Sequence, residues 1–280
     1  MLNPQLSLNC RGRLLSLRSP IIMGILNITP DSFFADSRVN NQKHLLEQAE
    51  KMLKEGATIL DVGGMSSRPG AEIISEEEEL QRVLPTIAAL HQHFPEAYIS
   101  IDTIRAEVAQ RAVGAGAVII NDISAGKLDP NMYETVAELG VPYILMHMQG
   151  IPNSMQQEPR YQEVTLEILD FFIEQVGRLR ALNIKDIILD VGFGFGKSVA
   201  HNYELLKKMH IFKVLDLPLL AGLSRKSMIC KPLKVNPSAA LNGTTALHMV
   251  ALQQGARVLR VHDVKEAREV ITLWRELEAV

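Results

Sequence analysis

Ile187-Ile188-Leu189-Asp190-Val191-Gly192-Phe193-Gly194-Phe195-Gly196-Lys197 sets an aliphatic run, a carboxylate and a glycine-rich turn in immediate succession. The run Ile187-Ile188-Leu189 is of the kind buried on both faces in a parallel sheet. A helix is predicted beyond the turn, over 200–214, so Asp190 stands where a buried strand gives way to a loop. In parallel α/β folds that edge is where ligands bind. Nucleotide readings of the turn fail on spacing. A phosphate-binding P-loop has glycine six residues before its lysine, and position 191 is Val. The dinucleotide fingerprint fails because Lys197 stands where its last glycine belongs. Two readings remain: a carboxylate at the mouth of a pocket walled by Gly and Phe, or a purely structural turn.

Outward from this stretch the same alternation recurs. Strands are predicted at 21–26, 58–60, 97–101, 118–120, 142–146, 187–189, 218–221 and 258–261. Helices are predicted at 42–55, from 75 onward, and at 105–115, 131–139, 161–182, 200–214, 237–254 and 264–277. The helix over 42–55 has Leu45, Leu46, Ala49, Met52 and Leu53 on one face, and Gly56 ends it as a C-cap glycine does. Ser75 followed by Glu76-Glu77-Glu78 reads as a capping residue and an acidic first turn. Eight strands alternating with helices, with no composition shift or Ser/Pro-rich linker, point to a single-domain α/β fold, a (β/α)8 TIM barrel over 21–280. A doubly wound open sheet is the alternative. Residues 1–20 are polar and mixed, an N-terminal arm or short hairpin covering one end. Two strand-to-helix loops, 27–41 and 63–72, are long beside the roughly 2–6 residues usual there. Both are rich in Gly, Pro, Ser and Asp and suit movable lids.

The chain has 280 residues, 47% of them hydrophobic, enough for a large core. A net charge of −3 argues against nucleic acid as a partner. Cys10 and Cys230 are the only cysteines and have no zinc-like spacing, which suits a reducing cytoplasm. No signal-like or membrane-spanning apolar run is present.

Polar groups gather where the strands end: Asn27, Asp61, Asp102, Asn121-Asp122, Met146-His147-Met148-Gln149, Asp190, Ser224-Arg225-Lys226 and Arg260-Val261-His262. A single one, such as Asp61 or Asp122, reads most simply as a helix cap. Seven or eight converging on one rim are costly unless a ligand satisfies them. They divide into two poles. Asp102, Asn121 and Asp190, from strands three, four and six, suit a flat heterocycle with amino and ring N–H donors. Arg260 and His262 on the last strand meet Asn27 on the first if the barrel closes, and the three make an anion site. Lys226 lies between the poles.

These residues stand in motifs that resemble the dihydropteroate synthase family. The motifs are Gly24-Ile25-Leu26-Asn27-Ile28-Thr29-Pro30-Asp31-Ser32-Phe33, Ser66-Ser67-Arg68-Pro69-Gly70-Ala71, Ile101-Asp102-Thr103, Ile120-Asn121-Asp122-Ile123, Met146-His147-Met148-Gln149-Gly150, the 190–197 turn, Ser224-Arg225-Lys226-Ser227 and Arg260-Val261-His262-Asp263. They keep the family's order and span nearly all the chain from residue 21. The resemblance implies a transferase of folate biosynthesis that joins 6-hydroxymethyl-7,8-dihydropterin diphosphate to p-aminobenzoate, giving 7,8-dihydropteroate and diphosphate. It implies that Asp102, Asn121, Asp190 and Lys226 hold the pterin, with Met146 as an apolar wall. Asn27, Ser67, Arg260 and His262 take the diphosphate, with Mg2+ at Asn27. Phe33, Ser67, Arg68, Pro69, Phe195, Ser224 and Lys226 frame the p-aminobenzoate, where sulfonamide inhibitors compete. Asn27, Asp102, Lys226, Arg260 and His262 are then the catalytic set. By analogy alone the family implies a cytoplasmic homodimer.

Two departures stand out. Val191 replaces the family's usual Pro beneath Asp190, and Met65 occupies a position where an acidic residue is common. Ser67 keeps the hydroxyl of the usual Thr. Two other functions are compatible with parts of this pattern. A pterin-dependent methyltransferase barrel shares the heterocycle pole but has no use for Arg-x-His. A non-catalytic pterin-binding paralogue is disfavoured by the presence of Asn27, Lys226, Arg260 and His262. A Schiff base on Lys226 is a weaker rival to its role as donor and positive charge. His147 reads as a core or supporting histidine. Lys197 is left between a loop carbonyl and the ligand. His91, His93, His201, His210 and His248 read as surface or helix residues.

Overall fold

The structure, a computed structural model, describes residues 6–28, 38–65, 74–150 and 159–280, and only the backbone of 38–41. Eight parallel strands close into a barrel: β3 (Ile21–Asn27), β4 (Ile59–Gly63), β5 (Tyr98–Asp102), β6 (Ile119–Asp122), β7 (Tyr143–Met146), β8 (Ile187–Asp190), β9 (Leu219–Ala221) and β10 (Ala256–Val261). Each pairs with its neighbour in sequence, and β10 pairs with β3 to close the ring, Val258 opposite Ile21 and Val261 opposite Gly24.

Side chains alternate across each strand with a period of two. Leu60, Val62, Ile99, Ile101, Leu189, Leu259 and Val261 point outward into the core shared with the helices. Met23, Ile59, Ile119, Ile144, Ile188, Leu220 and Val258 point inward and fill the lower barrel. Two residues further along each strand the same inward face carries Ile25, Asp61, Asn121, Met146, Asp190, Gly222 and Arg260. The interior is therefore apolar at one end and polar at the other, and the polar end is the C-terminal mouth.

The apolar end has a floor. A hairpin of β1 (Ser7–Cys10) and β2 (Arg13–Ser16) buries Leu8, Cys10 and Leu15 against the lower barrel, joined by Leu17 just beyond it. Arg13 reaches the Pro95 and Glu96 carbonyls and lies over the Tyr98 ring. Arg11 donates to the Val113 carbonyl.

The helices follow the sequence pattern with local differences. α1 (Arg38–Glu55) starts four residues earlier than predicted. α2 (Glu76–His93) starts on Ser75, whose side chain accepts from the Glu78 N–H. α3 (Ala106–Ala115), α4 (Met132–Leu139) and α5 (Val164–Ala181) follow. The predicted helix over 200–214 is α6 (Val199–Lys208) running into a 3-10 segment, Met209–Leu215. One element was not expected from the sequence: α7 (Ser227–Leu233), seven residues with Pro232 near its end. The predicted 237–254 helix divides into a 3-10 turn, Pro237–Ala239, and α8 (Leu241–Gln253). α9 (Val264–Glu278) closes the fold. Among the described residues no helix is long and apolar enough to cross a membrane.

Candidate active site

The turn after β8 is built around two cations. Lys197 is buried, and its ammonium donates to the carbonyls of Gly192 at 2.9 Å, Phe195 at 3.0 Å and His147 at 3.2 Å. These contacts are to backbone carbonyls of the turn and its neighbour, which resolves Lys197 in favour of the loop. His147 is buried beside it, with Nδ1 3.0 Å from the ammonium. Burial holds both the Lys197 amine and the His147 ring below their ordinary pKa ranges. The backbone passes so close here that only glycine fits: Gly192 has φ +67°, and a Cβ on it would lie 2.0 Å from the His147 carbonyl oxygen. Val191 fits this packing, fully buried among the outward-facing core residues.

Lys226, the residue before α7, enters the mouth from the β9 side. Its ammonium donates to the Phe193 carbonyl at 2.6 Å and lies 4.6 Å from the centre of the Phe195 ring, a cation–π contact. Burial lowers its pKa to about 8, against the opposing pull of Asp190. The Asp190 carboxylate accepts from the Gly192 N–H at 2.8 Å. Burial raises its pKa, and Lys226 and the Gly192 bond oppose the rise. Phe195 is buried with Ile104, Ile123, Met146 and Met148, and Met65 packs against the same group. Met146 thus lies in an apolar cluster beside the mouth.

Across the mouth, Arg260 joins groups that the sequence had assigned to separate poles. Its Nε donates to Asp61 Oδ2 and its Nη2 to Asp102 Oδ2, each at 2.6 Å. Asn121 Nδ2 donates to the same Asp61 oxygen at 3.2 Å. Asp61 is therefore no helix cap but a fully buried member of the mouth, a residue the site assignment from sequence lacked. Its inward register, two residues after Ile59, was the available signal. Burial raises the Asp102 pKa to about 7, against the pull of Arg260 and with the push of Asp61.

Ser224 and His262 lie together at the same rim, Ser224 Oγ 3.0 Å from His262 Nδ1. Asn27 ends β3 opposite Gly63, and its Oδ1 would lie 3.5 Å from a Cβ placed on that glycine. The barrel thus gathers Asn27, Asp102, Asn121, Met146, Asp190, Phe195, Ser224, Lys226, Arg260 and His262 at one end. Phe33, Ser67, Arg68 and Pro69 lie outside the described residues, as do most of the two long loops.

Other polar residues have structural work. Asp122 faces outward and accepts from the Ser124 N–H, the Ser124 hydroxyl, the Gly126 N–H and the Tyr143 hydroxyl, each at 2.7 Å. It thus caps the turn over 123–126 and not a helix, since α4 begins only at Met132 after Asn131. His201 completes a capping box at the start of α6 with Ser198. His248 lies in α8 but is not a surface residue: it is buried, and neither ring nitrogen has a partner among the described residues.

The pterin-binding enzyme family matches residues 23–262 of the chain. The dihydropteroate synthase of Escherichia coli K12 is 47% identical over 268 residues, covering 95% of this chain and 94% of its own. A crystal structure of the Yersinia pestis dihydropteroate synthase with a sulfonamide drug complex superposes with TM-score 0.92 at 43% identity, covering 98% of this chain and 100% of that one. The Xanthomonas albilineans enzyme in complex with 7,8-dihydropteroate superposes with TM-score 0.87 at 38% identity, covering 98% and 99%.

Proposed function

This chain belongs to the dihydropteroate synthase family of pterin-binding transferases, and on that premise we propose that it makes 7,8-dihydropteroate by a dissociative displacement of diphosphate. The observation that carries the reading is the mouth itself: three buried carboxylates, Asp61, Asp102 and Asp190, an inward amide, Asn121, and two cations, Lys226 and Arg260, above an apolar barrel. Acceptors of this number call for a ligand rich in N–H donors, which a dihydropterin supplies.

In this proposal Asp102, Asn121 and Asp190 bind the pterin edge, and Met146 and Phe195 pack beside it. Arg260 and His262 face the diphosphate with Asn27, and Ser224 holds the imidazole. The bond from the exocyclic carbon to the diphosphate oxygen breaks first, and the positive charge that develops spreads into the ring held by Asp102 and Asp190. Carboxylates fixed in a water-poor site stabilise that charge without reorganising. The arylamine nitrogen of p-aminobenzoate then bonds to the carbon and loses a proton. Lys226 serves as donor and positive charge, and although burial lowers its pKa to about 8 it is still mostly protonated at neutral pH.

Asn27 fits a role toward Mg2+. Its amide oxygen is a hard donor at the strand end. Among the described residues no three His, Cys, Asp or Glu side chains stand close enough to hold a metal. Asn27 would supply one oxygen to the ion, and substrate oxygens and water would have to supply the rest. Bound there, Mg2+ would neutralise charge on the leaving diphosphate.

Sulfonamides are proposed to compete with p-aminobenzoate, and a homodimer is the proposed assembly. The test is turnover of the pterin diphosphate with p-aminobenzoate, followed by diphosphate release. Pterin binding without release rejects the enzyme and leaves a pterin-binding protein.

A further inference from the structure

Asp61 and Asp102 hold one guanidinium between them, and their surroundings differ. Asp61 lies in the middle of β4, fully buried, with its Oδ2 accepting from both Arg260 Nε and Asn121 Nδ2. Asp102 is the last residue of β5, 7% exposed, with Oδ2 accepting from Arg260 Nη2. The arginine that an anion requires is thus occupied by carboxylates. One of those carboxylates, Asp102, is a group the heterocycle requires. A heterocycle that takes Asp102 Oδ2 competes with Arg260 Nη2 for that oxygen, so ligand entry sets the two contacts against each other. The rim contact is the one a ligand reaches.

We infer that Asp61 is the permanent partner of Arg260 and Asp102 its exchangeable one, so that a heterocycle arriving at Asp102 releases Nη2 to the diphosphate. Asp61 is then a positioning residue acting through Arg260. Its contribution is that the guanidinium stays paired throughout the exchange: a buried arginine stripped of its last carboxylate is strongly unfavourable. Without Asp61, Arg260 would have Asp102 alone, and the heterocycle would have to break that pair outright. Raised by burial and drawn down by Arg260, the Asp102 carboxyl also gains from any new N–H donor that replaces the arginine. The inference rests on the proposed dihydropteroate synthase reaction, and it adds that recognition of the ring and capture of the leaving group are coupled through one side chain.

The experiment is titration calorimetry on the full chain with two separate probes, 6-hydroxymethyl-7,8-dihydropterin and inorganic pyrophosphate with Mg2+. In the native protein the pterin is expected to tighten pyrophosphate binding about tenfold. Asp102→Asn is expected to tighten pyrophosphate binding without pterin, and by more than Asp190→Asn, which removes a neighbouring carboxylate without touching Arg260. Asp61→Asn is expected to weaken pterin binding about tenfold and abolish the coupling. Independent binding of the two probes to native protein overturns the inference, as does an equal response of Asp102→Asn and Asp190→Asn. If Asp61→Asn fails to fold, those two measurements still decide. Turnover with independent binding overturns this inference alone. Failure of both pterin binding and turnover overturns the functional reading and this inference together.

Discussion

Lys226 stands 4.6 Å from the ring centre of Phe195 while its ammonium donates to the carbonyl of Phe193, so one side chain reads both the backbone and a wall of the same turn. Burial lowers its pKa to about 8. Below that value the lysine is charged, and above it the positive charge is lost. The kcat/KM for pterin diphosphate is expected to fall as pH rises through about 8, since that parameter reports the free enzyme. Lys226→Met should lower kcat/KM and flatten this limb. An unchanged alkaline limb in the variant assigns the titration elsewhere.

Arg260→Ala removes the cation between Asp61 and Asp102 and leaves two buried carboxylates without it. Stability should drop by roughly 3–5 kcal/mol, the range for breaking a buried pair, and diphosphate turnover should be lost. Chemical denaturation and a steady-state assay measure the two losses. A near-native rate would mean the diphosphate binds away from β10.

Lys197→Met deletes the donor shared by the carbonyls of His147, Gly192 and Phe195. Each orphaned buried acceptor costs about 1–3 kcal/mol. The variant should melt at lower temperature, and its KM for pterin diphosphate should rise because Asp190 and Phe195 share that turn. A melting temperature within a degree or two of native would mean the three bonds add nothing net.

Glycines at two positions should respond in opposite directions. Gly192→Ala sets a Cβ 2.0 Å from the His147 carbonyl oxygen at φ +67°, so the turn must move. Loss of soluble protein or of pterin binding is expected. Gly177, inside α5, has nothing within 4 Å of the same position, and Gly177→Ala should stabilise by about 0.5–1 kcal/mol. Denaturant midpoints separate the two cases.

His248 supplies a test by acid. Burial lowers its pKa to about 4, while the unfolded chain titrates near the ordinary value of about 6.5. Between those values the unfolded state binds the proton and the native state does not, so native stability falls as pH falls from about 6.5 towards 4. His248→Leu should remove that loss and be neutral or stabilising at pH 7, since two unpartnered buried nitrogens go with it. Melting curves from pH 7 to 4 check it, and parallel curves for native and variant would refute the assignment.

Most of the barrel is written in short-range pattern. Ile187-Ile188-Leu189, Thr58-Ile59-Leu60 and Val118-Ile119-Ile120 announce buried strands, and the polar residue after each marks the mouth. α7 was illegible because seven residues with a proline carry too little periodicity. The pairing of Arg260 was illegible for another reason. Its partners are 199 and 158 residues away, and the choice among several inward carboxylates depends on strand stagger that sequence spacing does not encode. Asp61 was mistaken for a cap because a lone acid at a strand end supports both readings until its facing is known. His248 looked like an ordinary helical polar residue because nothing local shows which helix face is covered.

The seam between β3 and β10 has a consequence for synthesis. Asn27 leaves the ribosome more than two hundred residues before Arg260, yet both belong to one mouth. Until the final strand emerges, Asp61 and Asp102 have no guanidinium between them, and the half-built ring leaves two adjoining edges unpaired. Chaperone dependence and aggregation during translation should therefore concentrate on chains stalled before residue 256, whatever the stability of the finished protein.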